Sequence, residues 1–210
     1  VEDGIALFTI DDPAYGLSGH FELSQIWRDF DRDPDARVAV VYWSGQSARN
    51  LEGGIPMLDN TIEPEKIERF ESLIRGFREL NTEVSTIINC EKPIISAIGG
   101  PIDGGGLVAA LLADISIMSE TTQIFDQHVK FALALGPSAL WPALVSLSKA
   151  RLYLLTGDFF DGKEAERIGL VSRAVPTEQV LPLALSYARR LADSPQYALR
   201  FTKRVLNQYL

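Results

Sequence analysis

The sequence predicts one α/β domain followed by a helical tail. Short β-branched and aromatic runs alternate with longer amphipathic segments, and no repeat, low-complexity tract or Gly/Ser linker interrupts the alternation. The 210 residues are enough for one domain, and with 46% hydrophobic and 23% charged residues they can form a sizeable core. We therefore expect a core domain over residues 1–176 and a C-terminal helical segment over residues 177–210.

The first predicted elements are two strands with a helix between them. β-branched and aromatic residues bounded by Gly, Asp and Pro predict strands over 5–10 and 38–43. Phe21, Trp27 and Phe30 indicate a short helix in the segment between these strands.

The longest predicted element is an amphipathic helix over residues 64–89. Apolar side chains recur every three to four residues between Ile67 and Ile87. Pro64 falls in the first turn, where the backbone N–H groups have no helical acceptor and proline is tolerated.

The segment that follows this helix is apolar at nearly every position, so we expect it to lie at the centre of the fold. Asp103 and Asp114 divide it into charge-free runs of about ten residues, which are too short to span a membrane. The predicted elements are a strand over 94–98, a helix over 107–113, and strands over 115–119 and 123–126.

Helices and one further strand are predicted in the next part of the chain. A helix is expected over 150–156 and a strand over 171–175. Asp161 and Glu164 have the spacing of a capping box, which predicts the start of another helix.

The tail predicts two helices. Thr177 is expected to cap the first, and Ser194–Pro195 to begin the second. The expected apolar face of the first helix carries Val180, Ala184, Tyr187 and Leu191. That of the second carries Phe201, Val205, Leu206 and Tyr209. We expect this last face to pack on the domain or on another subunit, unless the natural chain continues and covers it.

Charge and cysteine content disfavour several classes of function. The net charge of −8 repels phosphate backbones and anionic lipids, so neither a nucleic-acid nor a membrane partner is expected. The single cysteine, Cys90, excludes an intrachain disulfide, and with only His20 and His128 no metal site is expected. The sequence starts without a basic leader segment, and we expect a soluble cytoplasmic protein.

The strongest local signal is a glycine run between a predicted strand and helix. Gly104, Gly105 and Gly106 would present backbone N–H groups to a phosphate, a dinucleotide or an oxyanion. The dinucleotide pattern extends to Ala109, but Gly99–Asp103 separates the strand from the first glycine, which disfavours a dinucleotide. A phosphate loop is excluded because no Gly-Lys-Ser/Thr follows. Close packing of helix on strand is the alternative without a ligand.

A second glycine pair, Gly53 and Gly54, follows the predicted strand 38–43 and precedes the long helix. Two strand-end loops with exposed amides could hold one oxygen from two sides, which would stabilise a thioester enolate. Spacing alone does not bring the two loops together.

Three segments resemble the crotonase superfamily, the enoyl-CoA hydratase/isomerase group: KPIISAIGGPIDGGGLVAALLADISIMSE, IFDQHVK and ARLYLLTGDFFDGKEAERIGLVSRAVP. The resemblance runs in order from Ile5 to Leu210. It implies an α/β fold built as a crotonase-like spiral of ββα turns with two near-perpendicular sheets, and a homotrimer or dimer of trimers. It also implies an acyl-CoA or enoyl-CoA thioester substrate with no separate cofactor, since coenzyme A is part of the substrate. The oxyanion hole would be the backbone N–H groups of Gly105 and Glu52.

Two positions depart from the hydratases of that family. Where the hydratases carry two glutamates that handle the water, the resemblance places Val108 and His128. Valine can neither give nor take a proton, so ordinary hydration by a carboxylate pair is not expected. We expect His128 to act as the base, since an imidazole titrates near neutral pH, and Asp126 to orient it. A structural role for this lone histidine is the alternative.

The segment from Asp126 to Trp141 also resembles a subgroup with histidine in place of the second glutamate. This subgroup includes the β-diketone hydrolase that acts on 6-oxocamphor. Its partner aspartate is replaced here by Pro137, and the aspartate usual after the first Gly-Gly is replaced by Ile55. Asp103 is a candidate surrogate acid, and a solvated loop residue is the alternative.

Three functions therefore stay open: an acyl-CoA enzyme of the hydratase/isomerase type, a β-diketone carbon-carbon hydrolase, and a catalytically impaired CoA-binding homologue. Arg49 could reach a CoA phosphate and Trp141 could line the acyl pocket, although a surface role and a core role are the respective alternatives. The candidate substrate-binding residues are Gly53, Gly54, Gly104, Gly106, Val108, Arg49 and Trp141.

Overall fold

Five parallel strands form the central sheet of the protein. The computed structural model describes residues 1–10, 19–44, 64–102, 104–124, 126, 129 and 140–209. The sheet contains β1 (Ile5–Ile10), β2 (Val38–Trp43), β3 (Ile94–Ile98), β4 (Ile115–Ser119) and β7 (Arg173–Val175), in the order β1-β2-β3-β4-β7. Every neighbouring pair is parallel, so the carboxyl ends of all five strands lie at one edge. Ligands of open α/β sheets bind at this edge.

A second, smaller sheet pairs β5 (Gln123–Ile124) with β6 (Phe160–Asp161) in antiparallel orientation. An isolated parallel bridge joins Ile124 to Ile102, which lies between β3 and the helix that follows it. The predicted α/β class with two sheets is confirmed.

Eight α-helices are assigned in the described residues, followed by a short 3-10 turn at Asn207–Tyr209. They are α1 (Gly19–Arg32), α2 (Pro64–Asn89), α3 (Gly104–Leu111), α4 (Trp141–Leu144), α5 (Leu147–Thr156), α6 (Gly162–Ile168), α7 (Thr177–Ala192) and α8 (Gln196–Leu206). Within the same ranges, none is both long and apolar enough to cross a bilayer.

The two faces of the central sheet are covered differently. Alternate strand residues such as Val38 and Val40 pack against α7, whose buried positions are Val180, Ala184, Ala188 and Ala192. The opposite strand residues join the larger core cluster with α1, α2 and α3, in which Trp27 and Leu80 are almost fully buried. Small alanines on α7 let this helix approach the sheet closely. The division of the chain at residue 176 stays a prediction.

Four strands and the long helix occur at their predicted bounds, and the helix predicted around Trp27 and Phe30 is α1; the side chain of Phe21 lies outside the described part of the chain. Other elements differ at their ends. β7 begins at Arg173 instead of residue 171, because the N–H groups of Leu170 and Val171 donate to the Ala165 carbonyl and close α6.

Two other helices begin earlier than predicted. α5 begins at Leu147, because the Ser146 hydroxyl accepts the Lys149 N–H at 3.3 Å and caps it. α3 begins at Gly104 instead of residue 107, so the glycines form its first turn.

The predicted cap of α7 is wrong. Thr177 is the first helical residue, and Pro176 precedes it without a side-chain cap. The Thr177 hydroxyl instead bonds the buried Ser119 hydroxyl at 2.7 Å, which ties α7 to the end of β4. The predicted apolar face is confirmed at Val180 and Ala184, which are buried. Tyr187 and Leu191 are only partly buried, and Ala188 and Ala192 complete the buried face instead.

The predicted capping box is formed only in part. Asp161 caps α6 by accepting the Glu164 N–H at 2.9 Å. The Glu164 carboxylate turns to other partners: it accepts the Tyr153 hydroxyl at 2.8 Å and the Arg167 guanidinium at 2.6 Å. This contact with Arg167 lowers the pKa of Glu164 to about 2.

Candidate functional site

The candidate site lies at the carboxyl edge of the sheet, where the chain leaves β2 and β3. The N–H groups of Gly99 and Gly100, directly after β3, both donate to the Trp43 carbonyl at the end of β2, at 3.0 and 3.1 Å. The Trp43 indole N–H also donates to the buried Ser96 hydroxyl at 2.9 Å. The segments that follow the two strands therefore start side by side, as the predicted two-sided oxygen site requires.

The first turn of α3 supplies free backbone donors at this edge. Gly104, Gly105 and Gly106 are its first three residues, and the first N–H groups of any helix have no acceptor within it. The helix dipole adds partial positive charge at the same end. Such donors suit an oxygen that gains negative charge during a reaction.

The structure brings the segment that carries Asp126 beside the start of α3. The parallel bridge between Ile102 and Ile124 aligns two segments that run in the same direction. α3 begins two residues after Ile102, and Asp126 lies two residues after Ile124. Asp126 is only 5% exposed. A buried carboxylate thus stands close in the chain to the predicted base, two residues beyond the bridge to the segment that leads into α3.

Val108 faces an apolar environment. It is buried and lines a cavity of about 10 Å³ between α3 and α4. The cavity is lined by aliphatic side chains and one indole: Val108, Leu111, Leu112, Leu140, Trp141 and Leu144. The α3 wall of the site therefore carries no carboxylate at the position where the hydratases of the resembling family have one.

Trp141 is both a core residue and a cavity residue. Its ring is 1% exposed and packs edge-to-face on Phe160, with centroids 6.1 Å apart. Phe160 in turn packs on the Tyr153 ring, with ring centroids 4.1 Å apart. Trp141 lines this cavity, and its expected role in an acyl pocket stays a prediction. Sequence reasoning missed the leucines around it, although Leu111 and Leu112 follow Val108 at the helical spacing of three and four residues.

Cys90 is not a nucleophile of this site. It follows α2 at the amino edge of the sheet, and burial raises the pKa of its thiol to about 12. Among the residues with described positions, no group of three His, Cys, Asp or Glu side chains could hold a metal ion.

Several predicted residues lie outside the described residues, so the roles expected for them stay predictions. They are Arg49, Glu52, Gly53, Gly54 and His128, together with Ile55, Asp103 and Pro137.

Comparison with known proteins relates the whole chain to one family. A family model described as enoyl-CoA hydratase/isomerase matches residues 1–210. A probable enoyl-CoA hydratase of Mycobacterium tuberculosis is 31% identical over 214 residues, covering 96% of this chain and 73% of that protein.

Two solved structures are similar over almost the entire chain. A probable enoyl-CoA hydratase/isomerase from Mycobacterium abscessus is 30% identical, with a TM-score of 0.79 and coverage of 97% of this chain and 78% of that one. A monofunctional enoyl-CoA isomerase from M. smegmatis is 26% identical, with a TM-score of 0.73 and coverage of 97% and 87%. The crotonase-like fold expected from the sequence is confirmed.

Proposed function

Because this chain belongs to the enoyl-CoA hydratase/isomerase family, we propose that it is an acyl-CoA enzyme that stabilises a thioester enolate in a backbone oxyanion hole. The observation that carries the proposal is the glycine turn of α3 at the carboxyl edge of the sheet, tied through Gly99 and Gly100 to the end of β2. Coenzyme A is part of the substrate, and the chemistry needs no separate cofactor.

The oxyanion hole consists of the N–H groups of Gly105 and Glu52. Both are main-chain donors, so the unusual glutamate side chain does not alter the function. Each donor of this kind contributes about 3 to 4 kcal/mol of transition-state stabilisation. Glycines at Gly53, Gly54, Gly104 and Gly106 let the thioester approach the backbone closely, and Arg49 binds a phosphate of coenzyme A.

His128, at the position where the resembling subgroup has its histidine, moves the proton. Asp126 orients the His128 imidazole in place of the partner aspartate that Pro137 replaces. The buried Asp126 beside the α3 turn supports this assignment. Val108 supports a single acid/base group, because its wall of the site offers no carboxylate. Isomerisation needs only one such group to take a proton and return it, whereas hydration by the usual route needs two.

The first test is calorimetric titration with acetoacetyl-CoA and, separately, with free coenzyme A. The proposal expects tight binding that prefers the thioester, and enoyl-CoA turnover that His128→Ala abolishes. A folded chain that binds neither compound would contradict the proposal and leave the diketone hydrolase, which needs no nucleotide subsite, to be assayed with a cyclic β-diketone.

A catalytically impaired CoA-binding homologue is the second candidate, and Val108 is the observation that favours it. This candidate expects thioester binding without turnover. Turnover of an enoyl-CoA that is lost in His128→Ala would exclude it.

The protein is a cytoplasmic homotrimer or dimer of trimers in this proposal. The exposed apolar face of α8 supports an assembly: Phe201, Val205 and Leu206 are 66%, 57% and 60% exposed. Contiguous apolar surface of this kind marks an interface. Light scattering on the purified protein tests it, and a monomer at micromolar concentration would contradict it. The buried free thiol of Cys90 suits a reducing compartment.

A further inference from the structure

We propose that Leu144 and Trp141 narrow the apolar pocket behind Val108 and thereby favour short acyl chains. The inference rests on the proposed function, because it takes the thioester to lie at the first turn of α3. It adds the substrate class and the residues that select it.

The pocket lies between α3 and the residues in and around α4. One side is a stripe of α3 formed by Val108 and Leu111 with Leu112 just beyond the helix, and the other side is formed by Leu140, Trp141 and Leu144. The space between them is about 10 Å³, which is room for about one water molecule. A space this narrow and lined by carbon accepts little of an acyl chain unless a side chain is removed.

The pocket lies further along α3 from the proposed oxyanion donor. Gly105 and Val108 lie on successive turns of α3, and Leu111 lies about 9 Å along the axis from Gly105 at 1.5 Å per residue. An acyl chain that follows α3 from the oxyanion hole meets Val108 first and then the narrow space beside Leu111. The walls therefore stop the chain within a few carbons of the thioester.

Trp141 is held in place by a series of ring contacts and hydrogen bonds. Its ring packs on Phe160, Phe160 packs on Tyr153, and the Tyr153 hydroxyl is bonded to Glu164 at 2.8 Å. Glu164 is held by Arg167 on the same helix. Trp141 cannot turn aside without disrupting this series of contacts, so the wall is preorganised.

Leu144 is the residue to change, because it is only partly buried at the end of α4 and its truncation disturbs the core least. Leu144→Ala reduces its isobutyl group to a methyl group and lengthens the pocket. The matched control is Leu154→Ala, a partly buried leucine on α5 that packs on the same core but does not line the pocket.

The experiment measures dissociation constants for butyryl-CoA and octanoyl-CoA by calorimetry, which does not depend on turnover. We expect the parent chain to bind butyryl-CoA more tightly than octanoyl-CoA. Leu144→Ala should lower the dissociation constant of octanoyl-CoA by at least about tenfold, since added apolar contact in such a pocket has effects of this size. The dissociation constant of butyryl-CoA should change by less than about threefold. Leu154→Ala should leave the ratio unchanged.

The outcomes separate this inference from the proposed function. If the folded parent binds neither thioester, the proposed function is wrong, and the pocket assignment is wrong with it. If both bind equally well to the parent, or if Leu144→Ala and Leu154→Ala shift the ratio alike, only the inference about the wall is wrong. Leu144→Val, a smaller truncation, gives the same direction with a smaller factor and keeps the test available if the alanine variant does not fold.

Discussion

The polar groups at the two edges of the central sheet differ in whether they have partners within the protein. At the carboxyl edge, the first turn of α3 leaves backbone donors without helical acceptors, beside an apolar wall. At the amino edge, buried charges are paired: Lys203 Nζ lies 2.8 Å from Asp114 Oδ2 and donates to the Lys92 carbonyl at 3.0 Å. Unpaired donors can serve a ligand, whereas paired charges hold elements together.

The paired cluster at the amino edge connects distant parts of the chain. Asp114 also accepts the N–H of Ile94 at 2.7 Å, so its carboxylate joins the starts of β3 and β4 to α8. Lys92, which is 3% exposed, donates to the carbonyls of Phe30 and Asp33 at the end of α1, at 2.8 and 2.6 Å. The contrast predicts that stability depends on the amino edge and the proposed chemistry on the carboxyl edge, so variants at one edge should leave the other property largely unchanged.

The largest effect is expected at the carboxyl edge. Gly105→Pro removes one oxyanion donor, and proline is tolerated in the first turn of a helix. We expect kcat/KM for an enoyl-CoA to fall about 10²- to 10³-fold while the melting temperature changes by only a few degrees. Steady-state kinetics and calorimetric melting check this, and activity within fivefold of the parent would contradict the assigned donor.

A stability effect of similar size is expected at the amino edge. Lys203→Met leaves the Asp114 carboxylate without its buried partner and should lower the free energy of unfolding by about 3 kcal/mol. Arg204→Met, on the neighbouring exposed residue of α8, is the control and should cost less than about 0.5 kcal/mol. Urea unfolding measures both. Equal losses in the two variants would show that the buried pair contributes little, and thioester binding by folded Lys203→Met should match the parent.

Cys90 should make a smaller, pH-dependent contribution to the free energy of unfolding at the same edge. Burial raises the pKa of its thiol from 9.0 to about 12, so the folded state keeps a proton that the unfolded state loses above pH 9. The free energy of unfolding should therefore fall with rising pH, by about 1.4 kcal/mol at pH 10 from this group. The difference in the free energy of unfolding between the parent and Cys90→Ala, measured with urea from pH 7 to 10, isolates the contribution of this thiol. A difference that is constant with pH would contradict the raised pKa.

The smallest effect is expected behind the apolar wall. Tyr153→Phe removes the hydroxyl that donates to Glu164 and should lower the free energy of unfolding by about 1 kcal/mol. The Phe160 contact is kept, so the preference between butyryl-CoA and octanoyl-CoA should not change. Thermal melting and calorimetry check the two parts. A changed preference would show that the hydroxyl, and not ring packing, holds Trp141 in place.

Local pattern was sufficient for much of the fold and for one part of the site. The apolar spacing from Ile67 to Ile87 predicted α2, and the bounded β-branched runs predicted β1 to β4, because these signals repeat with the period of the element itself. The glycine run predicted the start of a helix with free donors, although the helix includes the glycines and does not follow them.

Errors arose where a residue had a distant partner. Thr177 has the chemistry of a helix cap, but the Ser119 hydroxyl, 58 residues away, competes for it. Glu164 has the spacing of a capping box, but Tyr153 and Arg167 offer its carboxylate stronger bonds. Arg167 lies at the i,i+3 spacing of a helical ion pair and could have been recognised, but Ser119 and Tyr153 could not be recognised from the spacing of neighbouring residues.

The sequence by itself determined the element pattern and the family, since periodicity and glycine placement are properties of short segments. Only the tertiary structure decided which segments meet: the Ile102–Ile124 bridge beside α3, the Lys203–Asp114 pair and the apolar wall at Trp141 and Leu144. These contacts join residues far apart in the chain. They exist because the sheet and its helices bury a common core, and that burial is a property of the whole fold.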